Sequence, residues 1–436
     1  MQKTSVDIIK ILKKAGHKAY WAGGCVRDYL LGQDPQDYDI VTSAKPEEIE
    51  DLLEHTIPIG KEYGVIIAIV NGHHFEIATF RSDSGYSDGR RPDAIEYTDP
   101  EQDALRRDFT INGLFYDPLK DKIYDFVDGQ KDLKNRLIRF IGDPKLRIQE
   151  DHLRILRAIR FKNTLNFMYH PGTYDALVEN SNLAGNVSQE RARDELNKML
   201  LHKNRVQALR DMSETDVLKD ILPELEEMKG VAQPYEMHME GDVFEHTMRS
   251  VDALNPESSL ELIWAVLLHD VGKPDTFAIK ERIRFDNHCE RSEEIAGNIL
   301  RRLKSPTKQI KQIKWLIVHH FIMVQLLEMP EARKLHWFRH EGFTDLLELF
   351  RCDATGQIPI DLSLYEDVRD AYQKGMAKMP KEIKKLISGK DIMEITGIKA
   401  GKEVGDILHQ VYELQLEKKI TTKAQAVKWV KGKFVK

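Results

Sequence analysis

Cysteine is scarce in this chain of 436 residues: Cys25, Cys289 and Cys352 lie far apart and match no zinc or disulfide spacing. A disulfide scaffold is thereby excluded, and a reducing, cytoplasmic compartment is expected. No apolar run approaches the roughly 18 residues needed to span a bilayer, so no membrane partner is expected. Internal repeats and low-complexity tracts are missing, and charged residues, 31% of the chain, are spread along it, which argues against a long disordered tail. The first sixteen residues lack the apolar core of a signal peptide, because Lys10, Lys13 and Lys14 interrupt it. They read instead as an amphipathic helix with Ile8, Ile9, Leu12 and Ala15 on one face. A positive excess is also missing: the net charge is −6, which alone does not suggest a nucleic-acid binder. Distribution matters more than the sum. Six basic residues and no acid lie between Arg301 and Lys314, and seven lysines and no acid follow Glu417. Such runs are solvated faces or phosphate contacts.

The length predicts two to four domains. The first ~125 residues have a βαβ-rich texture. Ala19–Ala22 and Tyr38–Val41 read as strands, with a glycine turn and a short helix from Cys25 to Leu31 between them. Val65–Val70 and Phe75–Phe80 flank Asn71-Gly72, a hairpin signal because both turn residues tolerate positive φ. Arg81–Pro100, rich in Gly, Ser, Asp and Pro, reads as a long, mobile loop. From about Asp132 the apolar spacing becomes helical, through Leu153–Phe161, Leu196–Leu201, Leu260–Leu268 and Ile310–Val318.

Asp37 and Asp39, two apart in the expected strand, leave the same face. Like charges held that close are suited to a cation such as Mg²⁺, with Glu76 of the hairpin as a third ligand. Alone, such a pair is also what a solvated strand end looks like; its context is more telling. Gly23-Gly24-Cys25-Val26-Arg27-Asp28 precedes it, and the two glycines let backbone approach a triphosphate. Downstream, Arg106-Arg107-Asp108-Phe109-Thr110-Ile111-Asn112 sets guanidiniums beside an acid and an amide. Glu150-Asp151 then precedes Arg154, Arg157 and Arg160, which a helix would bring to one face or link as surface ion pairs.

These blocks, with Glu76–Arg81, Asp125–Gly129, Glu150–Phe161 and Ser188–Leu196, resemble the class II tRNA nucleotidyltransferases (the CCA-adding enzymes) and their relatives the bacterial poly(A) polymerases. They stand in the family's order over about half the chain; Gly113 is a departure, the family more often having alanine there. The resemblance implies an α+β fold: a mixed-sheet, polymerase-β-like nucleotidyltransferase head (1–137) that is catalytic, then an all-α neck (138–224) for base recognition and RNA binding, a helical HD body (225–356) and a helical tail (357–436) on tRNA. It implies that Asp37 and Asp39 hold Mg²⁺ and that Asp151 and Arg154 read the incoming base. The chemistry agrees: cytosine and adenine both offer an amino donor beside a ring-nitrogen acceptor, matched by a carboxylate and a guanidinium, whereas guanine and uracil reverse the order. Asp108 would hold the ribose 2′-hydroxyl. Arg107 and Asn112 would sit near the triphosphate, with Gly24, Arg27, Arg157 and Arg160 completing the nucleotide site. The expected partners are CTP, ATP and the acceptor arm of tRNA at its 3′ end.

A second constellation lies in the later half. His246, His269-Asp270, His288, His319-His320 and Asp353 recur near apolar helices. The order resembles the HD phosphohydrolases, which occur in this position in some CCA-adding enzymes. Imidazole and carboxylate donors suit a divalent transition metal such as Ni²⁺, Mn²⁺ or Zn²⁺, held by His246, His269, Asp270 and Asp353. His288 with His319 is the candidate for a second ion, sequence alone leaving His319 and His320 unresolved. Such a site would activate water against a phosphomonoester or a 2′,3′-cyclic phosphate at an RNA end.

Three other readings compete: a poly(A) polymerase, a partial enzyme adding only CC or only A (CC-adders lack the loop that Arg81–Pro100 supplies), and an RNA-binding protein whose only activity is HD phosphohydrolysis. Against the first, Pro58–Tyr63 departs at three of six positions from the basic signature of those polymerases. Against the last, Asp37, Asp39, Asp151 and Arg154 are all present.

Overall fold

The computed structural model describes residues 1–86, 89, 92–236, 238–378, 385–416 and 419–435. They form two compact units, 1–226 and 227–436.

The first unit is built on a mixed seven-stranded sheet. In chain order its strands are β1 (Ala19–Ala22), β2 (Ile40–Thr42), β3 (Thr56–Ile57), β4 (Val65–Val70) and β5 (His73–Thr79). Next come a separate antiparallel pair, β6 (Arg81–Ser84) with β7 (Ala94–Tyr97), and then β8 (Leu114–Asp117) and β9 (Lys122–Asp125). The sheet order is β3-β4-β5-β2-β1-β8-β9, with β2 and β5 parallel and the other neighbours antiparallel. Alternation along β1 feeds two cores. Ala19 and Trp21 pack with Ile8, Ile9 and Leu12 of the Gln2–Lys14 helix, while Tyr20 and Ala22 pack with Phe80 and Phe115 on the other face. Ala15, expected on that helix face, lies past the helix end and is exposed. The β4–β5 turn is as expected, with Asn71 at φ 52° and Gly72 at φ 75°.

Two sequence expectations change here. The hydrogen-bonded strand starts at Ile40, so Asp37 and Asp39 lie at its entrance rather than within it. The long loop after Phe80 is flanked by the β6–β7 ladder, which pairs Arg81 with Tyr97 and Ser84 with Ala94. Within that segment residues 87, 88, 90 and 91 fall outside the described ones. Helices follow the sheet, among them Pro144–Glu150, Leu153–Leu165 and Gln189–Leu200.

Among its described residues the second unit is helical apart from a short hairpin, Phe277–Ile279 with Ile283–Phe285. Its site-bearing helices are Val243–Asp252, Leu260–Leu268, His288–Arg302, Thr307–His319 and Phe343–Gly356. Near the C-terminus, Gly389–Thr396, Lys402–Leu416 and Lys423–Phe434 share a core of Ile392, Ile407, Val411 and Val430. No helix of the described residues is long and apolar enough to cross a membrane.

Candidate functional site

The strand register of the first unit gathers the three acidic residues. Ile40 pairs with Ile77, so the preceding Asp39 comes beside Glu76, whose neighbours Phe75 and Ile77 point into the core. Asp37, Asp39 and Glu76 line one cavity of about 700 Å³. Burial, then the charge of Glu76 and, more weakly, Asp37, push the Asp39 carboxyl up to about 6 against the relief given by Arg107. Three carboxylates gathered at one place, two of them raising the proton affinity of the buried third, are the oxygen donors a hard divalent cation takes. Gly23, at φ 70°, turns the chain beside them; a Cβ there would stand 3.1 Å from Arg107 Nη1.

Every expected nucleotide-site residue lines this same cavity: Gly24, Arg27, Arg107, Asp108, Asn112, Asp151, Arg154, Arg157 and Arg160. The lining carries nine cations against five carboxylates, although the chain as a whole is acidic. A polyanion is the ligand such an excess suits. The groups are chained together. Arg27 Nη1 donates to Asn112 Oδ1 (2.9 Å), Asn112 Nδ2 to Asp108 Oδ1 (3.1 Å), and Arg157 Nε to Asp108 Oδ2 (2.8 Å). Asp108 and Asn112 therefore meet although only Thr110–Asn112 forms a turn of 3₁₀ helix. Burial would raise the Asp108 carboxyl, but Arg157 and the bonds from Asn112 and the Phe109 amide outweigh it and hold it at about 2. Arg107 is fixed by the fully buried Asp103 through Nε (3.2 Å) and Nη2 (3.1 Å).

Asp151 and Arg154 are not on one helix. Asp151 caps the C-terminal end of Pro144–Glu150, and Arg154 lies in the first turn of Leu153–Leu165. Nor do they pair with each other. Arg191 grips Asp151 in a two-pronged contact, Nη1 to Oδ1 at 3.0 Å and Nη2 to Oδ2 at 2.8 Å. Arg154 donates to Glu150 Oε2 (2.6 Å) and to the Arg147 carbonyl (2.7 Å). Arg160 is bonded to the buried Glu195. Arg191, Glu150, Arg147, Asp103 and Glu195 were not anticipated as site residues. Arg191 and Glu195 do lie in the Ser188–Leu196 block, so position in a motif was the signal available.

In the second unit the histidines converge. Gly356 lets the helix bearing Asp353 approach the one bearing His246, since a Cβ there would lie 3.0 Å from the His246 carbonyl. Gly272 does the same for the turn after Asp270, where a Cβ would meet the Ser292 amide at 2.5 Å. His246 Nε2 stands 3.0 Å from Asp353 Oδ1 and 3.7 Å from Asp270 Oδ2; His269 Nε2 stands 3.2 Å from Asp270 Oδ2. Glu240, unanticipated, accepts from Nδ1 of His238 (2.7 Å) and His246 (3.1 Å) through Oε1 and from the Ile358 amide through Oε2. Lys273 Nζ reaches Asp270 Oδ2 at 2.7 Å. Burial opposes charge on His246, but Asp353 and Glu240 prevail and raise it to about 9; burial and then His269 lower His320 to about 4. His269 Nδ1 contacts the Val266 carbonyl at 2.8 Å, so its buried Nε2 faces carboxylates with no hydrogen-bond partner among the described residues. An imidazole lone pair facing carboxylates asks for a cation, and the donor set fits one.

One expected ligand is displaced. His320, 1% exposed, joins the cluster with His288, at 3.3 Å between their Nε2 atoms. His319 does not: its Nδ1 bonds the Trp315 carbonyl and its ring packs between Trp315 and Trp337. Adjacent helical residues point about 100° apart, so only one of the pair can face inward.

Comparison with known proteins matches three family models in order along the chain: "Poly A polymerase head domain" at residues 19–139, "Probable RNA and SrmB- binding site of polymerase A" at 166–229, and "tRNA nucleotidyltransferase domain 2 putative" at 287–430. The CCA-adding enzyme of Ligilactobacillus salivarius is 33% identical over 94% of this chain and 91% of its own. That of Bacillus licheniformis is 30% identical over 97% and 96%. The crystal structure of the Bacillus stearothermophilus CCA-adding enzyme in complex with CTP superposes with a TM-score of 0.71 at 26% identity, covering 99% of this chain and 96% of that one. On this near full-length likeness, the chain belongs to the family of CCA-adding enzymes.

Proposed function

We propose that the chain extends the 3′ end of tRNA with C, C and A from CTP and ATP, without a nucleic-acid template. The observation that carries this reading is the single cavity in which three carboxylates, a cationic lining, and Asp151 with Arg154 all open. Residues 1–137 would supply the chemistry and 138–224 the choice of base.

The RNA 3′-hydroxyl attacks the α-phosphate in line and pyrophosphate leaves. Mg²⁺ held by Asp37 and Asp39, with Glu76 at hand, would neutralise charge on the phosphates and favour the ionised hydroxyl. Arg107, steadied by Asp103, and Arg27, bonded to Asn112, present positive charge to the triphosphate. Asp108, kept ionised by Arg157, accepts from a ribose hydroxyl. Arg191 and the Leu153 amide take three of the roughly four lone-pair positions of Asp151, leaving one for the amino group of cytosine or adenine. Arg154 donates to the neighbouring ring nitrogen. Guanine or uracil would leave buried polar groups facing like groups, at about 1–3 kcal/mol each.

For the second unit we propose a metal-dependent phosphohydrolase in residues 225–356, with His246, His269, Asp270 and Asp353 as ligands to Ni²⁺, Mn²⁺ or Zn²⁺. The unpartnered His269 Nε2 is its main support. In the tail, 357–436, the lysines are candidates for tRNA phosphates, although Lys423 is already paired with Asp391 (2.6 Å).

The test is incubation with tRNA transcripts ending before CCA, after C and after CC, with labelled CTP or ATP. Stepwise completion of all three is expected. Extension of the last alone would identify an A-adding enzyme, and an untemplated A tail on any RNA a poly(A) polymerase.

A further inference from the structure

Beside the proposed phosphohydrolase ions lies a cluster with a different donor. His288 opens the His288–Arg302 helix, and Cys289 follows it. Facing them is His320, just past the end of the Thr307–His319 helix. The Nε2 atoms of His288 and His320 stand 3.3 Å apart. Cys289 Sγ is 3.6 Å from the first and 4.0 Å from the second. Asp270 Oδ1 is 3.7 Å from His288 Nε2.

The tautomers make this arrangement unusual. His288 Nδ1 is 2.9 Å from the Phe285 carbonyl and His320 Nδ1 is bonded to the Ile317 carbonyl. A carbonyl only accepts, so both Nδ1 atoms carry a proton, and each ring turns its Nε2, the position left for a lone pair, toward the other. Two lone pairs at that distance repel unless something positive sits between them. Backbone-anchored Nδ1–H groups are also how metal-binding imidazoles are oriented.

The spacing says which ion. In a tetrahedral zinc site with Zn–N near 2.0–2.1 Å and Zn–S near 2.3 Å, the donors lie about 3.4 Å apart for N···N and about 3.6 Å for N···S. The observed 3.3 Å and 3.6 Å match, and the 4.0 Å from Cys289 to His320 and the 3.7 Å from Asp270 to His288 need only a few tenths of an ångström of closure. Magnesium, which wants six oxygens, has no place in a set with two imidazoles and a thiol.

We infer that His288, His320 and Cys289 form a thiolate-containing zinc site, closed by Asp270, whose other oxygen faces the His246–His269–Asp353 position. This inference extends the metal reading proposed above and is independent of CCA addition. On binding, the Cys289 thiol releases its proton to solvent and the sulfur becomes a ligand. The second position would then prefer a borderline-soft ion, while the first, with only nitrogen and oxygen donors, would not.

Two readouts test this on the full chain. Cobalt loading should give a near-ultraviolet thiolate-to-cobalt charge-transfer band that Cys289→Ser abolishes and His246→Gln preserves. Thiol titration should detect chiefly Cys289, since Cys25 and Cys352 are 4% and 0% exposed, and a stoichiometric zinc addition should block the reaction until a chelator is added. Metal bound with no charge-transfer band and no thiol protection overturns the thiolate site while leaving the first ion's reading intact. No metal bound at all overturns both.

Discussion

Protons and metal should compete for Asp39, and the competition can be worked from the site. Its carboxyl titrates at about 6, because burial and Glu76 disfavour its charge. At about pH 5.5 such a group is roughly three-quarters protonated, and at about pH 7.5 it is almost fully ionised. If the ion binds only the carboxylate, apparent affinity should be about fourfold weaker at the lower pH, and weaken about tenfold per further unit. Glu76→Gln removes the strongest opposing charge, so the midpoint should move to lower pH. Mn²⁺ binding to nucleotide-free protein, followed by electron paramagnetic resonance across this range, measures both. The raised value also has a sign for stability. The folded state holds its proton more tightly than the unfolded chain, so Asp39 costs stability as pH rises through about 6. At neutral pH, Asp39→Asn should melt higher than wild type without metal and lose the stabilisation that Mg²⁺ gives wild type. A flat affinity profile in wild type, or a midpoint that rises in Glu76→Gln, would refute the three-carboxylate site.

Asp37→Asn and Asp39→Asn should each abolish addition of C and of A with tRNA affinity nearly unchanged; activity within about tenfold of wild type would count against the metal role. Asp151→Ala should admit UTP or GTP in competition assays, and Arg191→Ala should do so more mildly, by unpinning Asp151; equal loss for all four nucleotides would make the pair merely structural. Replacing residues 85–92 by a short linker, sparing the β6–β7 ladder, should leave CC addition and eliminate the terminal A. The resemblance to the CCA-adding enzymes implies that this loop helps reset the pocket from C to A, and a stall at both steps would assign the segment a scaffolding part. His269→Ala with Asp270→Ala should remove hydrolysis of a 2′,3′-cyclic phosphate by the Ni²⁺- or Mn²⁺-loaded protein while sparing CCA addition. Loss of both activities together would argue against separate sites.

What was legible in the sequence was whatever local chemistry dictates. Asn71-Gly72 forces a turn whose φ values only such residues accept, and the alternation of β5 sends Glu76 away from the core. What was hidden depended on partners distant in the chain. Ser82–Ser84 is a polar strand with no apolar alternation, recognisable only by its pairing with Ala94–Glu96. The strand at Tyr38 begins two residues late because the ladder with β1 starts at Trp21 and Ile40. Arg191 finds Asp151 forty residues away, a pairing that no periodicity encodes. His319 and His320 differ by helix phase at a terminus, and only the packing of Trp315 and Trp337 decides it.

The break between Glu150 and Leu153 has a consequence for measuring molecules. A purine and a pyrimidine held by the same ribose present their pairing edges at different distances from it. Two reading groups on one unbroken helix would be a fixed gauge, cut for one of them. Here Asp151 ends one helix and Arg154 begins the next, each on its own jaw and each steadied by a different partner. If the pair reads the base as proposed, a slight swing at that joint would reset the opening, and one caliper could be closed on two sizes of base.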